Sequence, residues 1–304
     1  MKGELVVIEC KNVSKKYRRQ TALEDFHCSI QENTITGVIG RNGAGKSTFM
    51  KLVAGYLKKS HGEVVVMGEN PFTSLKVSAN TIMIDDNMSL PTTLTLGELL
   101  KSFALFYPNW NDPLANELMA YFKLSPKMYV QNLSKGMRST FHAIIGFAAR
   151  CPLTVYDEPT TGMDSAVRKD FYRALLKDYL AFPRTILLSS HHLEEIENLL
   201  EDVLIIHNQK AFMHLSISEL KESVVAVKGS KMEVDRFVSM HEKLDYNKTI
   251  PGTVMAVVKV SQYVHRENFP QLTFINLTAN EAFIYLTNSQ EGGIDRVFER
   301  NELA

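Results

Sequence analysis

The stretch that most constrains this chain is Gly40-Arg41-Asn42-Gly43-Ala44-Gly45-Lys46-Ser47-Thr48, set between the apolar run Ile35-Thr36-Gly37-Val38-Ile39 and the run Phe49-Met50-Lys51-Leu52-Val53. A short strand, a glycine-rich turn and a helix start are what a bound polyphosphate needs, since successive N–H groups wrap the phosphate and the helix N-terminus adds partial positive charge. The fit to G-x-x-x-x-G-K-[ST] is complete. Gly43 and Gly45 let the backbone curl without a Cβ in the way, Lys46 reaches the β- and γ-phosphates, and Ser47 offers a hydroxyl to Mg²⁺. Gly40, Arg41, Asn42, Ala44 and Thr48 complete the candidate nucleotide-binding set. A glycine-containing loop that matches by chance leaves the flanking strand and helix unexplained.

Length and composition narrow the class. With 304 residues and 45% hydrophobic content, the chain reads as globular, with one large or two ordinary domains. The 34 Lys+Arg balance 34 Asp+Glu, so no global field draws it to nucleic acid or an anionic membrane. Cys10, Cys28 and Cys151 are too few and too scattered for a disulfide framework. The N-terminal Met1-Lys2-Gly3-Glu4-Leu5 does not read as a signal peptide, and no apolar run approaches the ~20 residues of a spanning helix.

Strand and helix patterns give the order of the chain. Residues 5–10 and 21–30 read as strands flanking a polar turn, Val13 to Arg19, that contains Tyr17; on the residues alone Tyr17 is an ordinary strand-end tyrosine, with stacking on a base the alternative. Gly62 to Gly68 reads as a strand, and Thr81-Ile82-Met83-Ile84 as another that ends in Asp85-Asp86. From about 94 to 150 the apolar period becomes helical, with Pro108, Pro113 and Pro126 at helix boundaries and a helix over 139–149. Alternation then resumes: strand 153–156, helix about 166–180, strand 185–189, helix Leu193 to Leu200, strand 203–206. Such alternation implies a parallel sheet with crossover helices. The apolar strand 153–156 runs into Asp157-Glu158-Pro159. A parallel strand delivers its C-terminal residues to the ligand end of the sheet, so Asp157 is placed to hold Mg²⁺ and Glu158 to take a proton from an attacking water.

The segment Leu133-Ser134-Lys135-Gly136-Met137 resembles the signature sequence of ATP-binding cassette (ABC) transporter ATPases, commonly Leu-Ser-Gly-Gly-Gln. The order of phosphate loop, helical insertion, signature, Asp-Glu strand and strand with histidine is similar to that family across residues 5–215. The resemblance implies an α/β fold: a P-loop NTPase (RecA-like) parallel sheet with an N-terminal antiparallel β subdomain and a helical insertion. It also implies an ATPase working with Mg²⁺. By resemblance Tyr17 stacks on adenine, and Ser134 and Gly136 meet the γ-phosphate bound to an opposite subunit. Asp164 matches the loop communicating across that interface. His191 matches the switch histidine, with His192 its neighbouring alternative; Glu158, His191 and Lys46 form the catalytic set. Two positions depart from the pattern. The family usually has a glutamine after the strand ending at Ile84, where this sequence has Asp86, with Asp85 the alternative; Asp86 thus joins Ser47 and Asp157 as a candidate metal contact. Lys135 replaces the usual first glycine of the signature.

The implied partners are separate ABC membrane-spanning permease subunits and a second ATPase subunit, identical or not, with no nucleic acid and membrane contact only through those partners. That places the chain in the cytoplasm, peripheral on the inner face of the cell membrane. The aromatic run Lys101 to Trp110 supplies candidate contacts to a permease: Tyr107 and Trp110 first, with Phe103 and Phe106 divided between core and groove. The resemblance is to bacterial exporters of drugs, peptides or lipid-like molecules; an importer ATPase and a soluble nucleotide-binding regulator with weak hydrolysis are the alternatives. A boundary near Leu220 divides the cassette, 1–220, from a small accessory α+β domain, 221–304, with dimer stabilisation its expected role.

Overall fold

The computed structural model describes residues 5–190, 193–250, 253–260 and 266–287. The chain divides into two compact units, Met1–His214 and Leu215–Ala304. The first opens with β1 (Val6–Tyr17), β2 (Gln20–Gln31), β3 (Ile35–Ile39), α1 (Lys46–Val53), β4 (His61–Val66), α2 (Leu75–Ala79) and β5 (Thr81–Ile84). The helices α3 (Leu96–Phe106), α4 (Asp112–Tyr121) and α5 (Lys135–Ala149) follow. Then come β6 (Leu153–Asp157), α6 (Ser165–Ala181), β7 (Thr185–Ser189), α7 (Leu193–Ile196), β8 (Asp202–His207) and β9 (Lys210–Ser216).

One sheet has the order β2-β1-β4 and is antiparallel; the other, β5-β6-β7-β3-β8-β9, is parallel from β5 to β8. Strands β3, β6 and β7 are buried along their whole length, as strands covered on both faces are. The two-residue turn Asn208–Gln209, both at positive φ, turns β8 back into β9. Between the sheets lies a core in which α1 buries Phe49, Met50, Leu52 and Val53, with the Phe49 ring 5.1 Å from that of Phe26 on β2. Each such side chain contributes about 1.5–3 kcal/mol of burial. This packing fixes the helix that begins at the phosphate loop.

Three local expectations are corrected. The polar stretch from Val13 onward is strand as far as Tyr17, because Lys15, Lys16 and Tyr17 pair with Leu23, Thr21 and Gln20 of β2. Polar side chains occupy the solvent side of that ribbon, and the turn shrinks to Arg18–Arg19. The helix expected over 139–149 starts at Lys135, because Ser134 caps it by accepting a hydrogen bond from the Met137 N–H. And α7 stops at Ile196, well short of Leu200.

The prolines sit where helices change. Asn111 caps α4 with Pro113 in its first turn, and α3 opens on a capping box in which Thr95 and Glu98 satisfy each other's backbone N–H. Helix α5 is buried on every side from Ser139 to Ala149, which makes it the spine of the helical segment.

The second unit comprises α8 (Ile217–Glu222), β10 (Val224–Gly229), α9 (Lys231–Val238), β11 (Glu242–Ile250), β12 (Thr253–Lys259), β13 (Thr273–Ile275) and α10 (Ala279–Thr287). The division falls ahead of Leu220 because α8, with Leu220 fully buried, packs on α10 and β10 of this unit. Its antiparallel sheet, β11-β12-β10-β13, is covered by Phe237 of α9, whose ring meets those of Phe269 and Phe274 edge-on.

Candidate active site

Gly45, the N-cap of α1, has φ 114°, and a Cβ there would lie 2.6 Å from the Ala22 carbonyl oxygen. Only glycine satisfies both the angle and the approach. Gly43 has φ +79° but open space where its Cβ would point, so that side of the turn is unfilled. Gly40 closes against β8, where a Cβ would meet the Ile206 carbonyl oxygen at 2.5 Å. The Ala44 N–H donates to the Arg41 carbonyl, and the Lys46 ammonium curls back to donate to the Gly40 carbonyl at 2.7 Å. The first N–H groups of α1 have no partner within the helix and face the turn. Burial lowers the Lys46 pKa, while the charges of Glu158 and Asp157 oppose the shift.

Those two carboxylates come from the end of β6. Register pairs Asp157 with Ser189 of β7, whose hydroxyl donates to Asp157 Oδ1 at 2.7 Å and accepts from the Glu158 N–H at 2.9 Å. Ser189 therefore ties the two strand ends together and fixes which way Asp157 faces. Glu158 then leaves the strand with φ 53°, and its carbonyl accepts from the Thr161 hydroxyl. A left-handed residue other than glycine costs roughly 1–3 kcal/mol and marks a position held by its surroundings.

The first turns of α5 pack on the loop that follows Glu158. A Cβ on Gly136 would sit 2.4 Å from the Gly162 carbonyl oxygen, and the Ser139 hydroxyl donates to the Thr161 carbonyl at 2.7 Å. Asp164 caps α6 by accepting from the Ala166 and Val167 N–H groups. No hydrogen bond or ion pair among the described residues joins Ser134 or Gly136 to the phosphate loop. Among the described residues the starts of α1 and α5 are thus not joined to each other.

The ABC transporter family model matches residues 23–161. The zinc uptake system ATP-binding protein ZurA of Listeria monocytogenes is 30% identical over 68% of this chain and 84% of its own length. The chain belongs to the ABC transporter family. It is an ATPase subunit of that family. The bacitracin transport ATP-binding protein BcrA of Bacillus licheniformis is 29% identical over 71% of this ATPase subunit and 72% of its own length. A solved ATP-binding subunit of an ABC transporter superposes with a TM-score of 0.64 at 24% identity, covering 71% of this chain and 92% of that one, and so shares the P-loop NTPase fold.

ATP and Mg²⁺ fit this ABC ATPase. A Cβ on Gly43 would meet nothing within 4 Å, which leaves room for phosphate, and Ser47 and Asp157 carry hard oxygen donors, the type Mg²⁺ takes beside substrate phosphates. Tyr17 ends β1, the central strand of the antiparallel sheet, with 42% of its surface exposed and Lys15 Nζ 4.9 Å from its ring centroid. Asp86 Oδ2 lies 3.0 Å from Lys135 Nζ, and Asp85 pairs with Lys51 of α1 at 3.5 Å. His191 and His192 lie outside the described residues. Among the described residues no helix is long and apolar enough to cross a membrane.

Two features were missed from sequence. Ser189 carried a readable signal, a hydroxyl closing an apolar strand in step with Asp157. The second is the packing of the aromatic run: Tyr107 and Trp110 are half-buried and stack on Phe103 with interplanar angles of 12°, whereas Leu105 and Phe106 are 87% and 74% exposed. The helix ends at Phe106, which turns that side chain out and the following Tyr107 in.

Proposed function

We propose that this ATPase subunit drives a bacterial exporter and hydrolyses ATP in sites completed by a second ATPase subunit. Supporting this is the separation of the two anion-facing turns: one chain carries both halves of a site but does not bring them together. Lys46 and the α1 N-terminus hold the β- and γ-phosphates, Tyr17 the base, and Ser47 and Asp157 the metal. Bound Mg²⁺ supplies charge neutralisation along the β–γ bridge. Glu158 accepts the proton of the attacking water. Ser134 and Gly136, at the start of α5, take the γ-phosphate held by the partner, and His191 completes the catalytic set. The exposed Leu105 and Phe106 offer an apolar contact to a permease, which holds the subunit at the inner face of the membrane.

Mass by light scattering on purified Glu158→Gln protein tests the composite site. A shift from monomer to dimer only with Mg-ATP is expected; a monomer at saturating Mg-ATP overturns it. For direction, the relative BcrA is a bacitracin transport protein and the relative ZurA a zinc uptake protein. Export predicts that cells lacking this chain become sensitive to peptide antibiotics. Growth failure confined to zinc limitation favours the importer reading.

A further inference from the structure

The two residues that depart from the family pattern, Asp86 and Lys135, meet. Asp86 follows β5 and Lys135 is the first residue of α5, and their charged atoms are 3.0 Å apart. The Lys135 side chain is 62% exposed and that of Asp86 38%, so the pair lies at the surface. A lysine at a helix start opposes the helix dipole, and the Asp86 carboxylate offsets that charge. The Lys135 stem runs over Gly162, where a Cβ would lie 2.9 Å from Lys135 Cγ. The ammonium is thereby held between the loop after Glu158 and the segment after β5.

Around this pair the helix carries more charge than it uses. Lys135, Arg138 and His142 are spaced to share one face of α5. With Ser139 and Asp86 they line a cleft of about 260 Å³. Arg138 has no ion-pair partner among the described residues, and His142, 3% exposed, has an Nε2 with no hydrogen-bond partner. Asp86 therefore has other basic groups beside it when Lys135 leaves.

We propose that Asp86 and Lys135 form a charge latch that opens when the second subunit's ATP arrives. In the single subunit the Asp86 carboxylate holds Lys135. On closure Lys135 exchanges that carboxylate for the triphosphate bound by the partner, and Asp86 is left to the Arg138 side of the cleft. A triphosphate carries several negative charges against one on Asp86, so at equal distance it wins the ammonium. An exposed ion pair is worth only roughly two- to five-fold in an equilibrium, which makes the exchange cheap. Lys135 is on this account a specificity-determining contact to the partner's nucleotide, and Asp86 a positioning residue acting through it. The inference rests on the composite-site reading.

The test is an ATP titration of full-length Glu158→Gln protein in Mg²⁺, read as dimer mass by light scattering. Asp86→Asn frees Lys135 and is expected to lower the half-maximal ATP concentration roughly three-fold, the scale of an exposed pair. Asp86→Ser, a second carboxylate deletion, does the same. Lys135→Gln raises the concentration, and adding Asp86→Asn to it produces no further change. Lys135→Arg keeps the sensitivity to Asp86→Asn. A half-maximal concentration unmoved by Asp86→Asn, or raised by it whether or not Lys135 is present, overturns the latch while the composite site stands. The absence of any ATP-induced dimer in the Glu158→Gln protein overturns the composite site and the latch with it.

Discussion

The phosphate turn and the signature segment each put a glycine at a helix start, yet different things force the two glycines. Gly45 must be glycine for a local reason, a φ of 114°, to which the approach of the Ala22 carbonyl is added. Gly136 lies in ordinary helix, and its requirement comes from the Gly162 carbonyl, distant in sequence, which a Cβ would meet at 2.4 Å. A turn of the first kind is specified by its own residues. One of the second kind depends on what the rest of the fold brings to it.

Breaking the local turn should cost most. Gly45→Ala adds backbone strain of about 1–3 kcal/mol and a collision with a carbonyl, and a loss of ATP affinity on the order of 100-fold follows from that penalty. Binding of a fluorescent ATP analogue to the monomer measures it. If affinity survives within a factor of two, the angle is not what holds the loop.

Gly136→Ala sharpens the contrast. Its cost is overpacking against a neighbouring loop, about 1–3 kcal/mol with no strain in φ. Nucleotide binding to the monomer should stay within two-fold, while ATP-driven dimerisation in the Glu158→Gln protein weakens on the order of ten-fold, the equivalent of about 1.4 kcal/mol. Equal losses in both assays would erase the distinction between the two turns.

The smallest effect concerns pH. His142, on the face of α5 behind the signature turn, is held below the ordinary imidazole value by burial and by the nearby charge of Arg138, against an opposing hydrogen bond to the Asp85 backbone. The unfolded chain therefore takes up this proton before the folded one does. Stability from this group is fully present above about pH 6.5 and is lost as pH falls towards the folded value. His142→Leu should flatten the melting temperature between about pH 7 and 5 relative to the parent. An unchanged slope would mean that the imidazole takes up its proton alike in the folded and unfolded chain.

Legibility from the sequence followed the same division. The phosphate loop, the acids ending β6 and the strand–helix alternation rest on patterns within a few residues of one another, and the structure places them as read. The start of α5 was misplaced because Ser134 was read as part of a binding motif and not as the helix cap it also is. The stacking of Tyr107 and Trp110 on Phe103 is not legible in the polar residues that flank them.

By itself the sequence determined the glycine-rich turn between β3 and α1, since glycine spacing, one lysine and one hydroxyl after a strand admit few backbone paths. It determined the family by the order of its motifs. Tertiary structure alone decided that Ser189 orients Asp157, that Gly136 needs its glycine, and that Asp86 faces Lys135. Each of those rests on a contact between segments far apart in the chain. Side-chain period and local propensity report which face a residue occupies, and only the packing of sheets and helices settles which residue stands opposite.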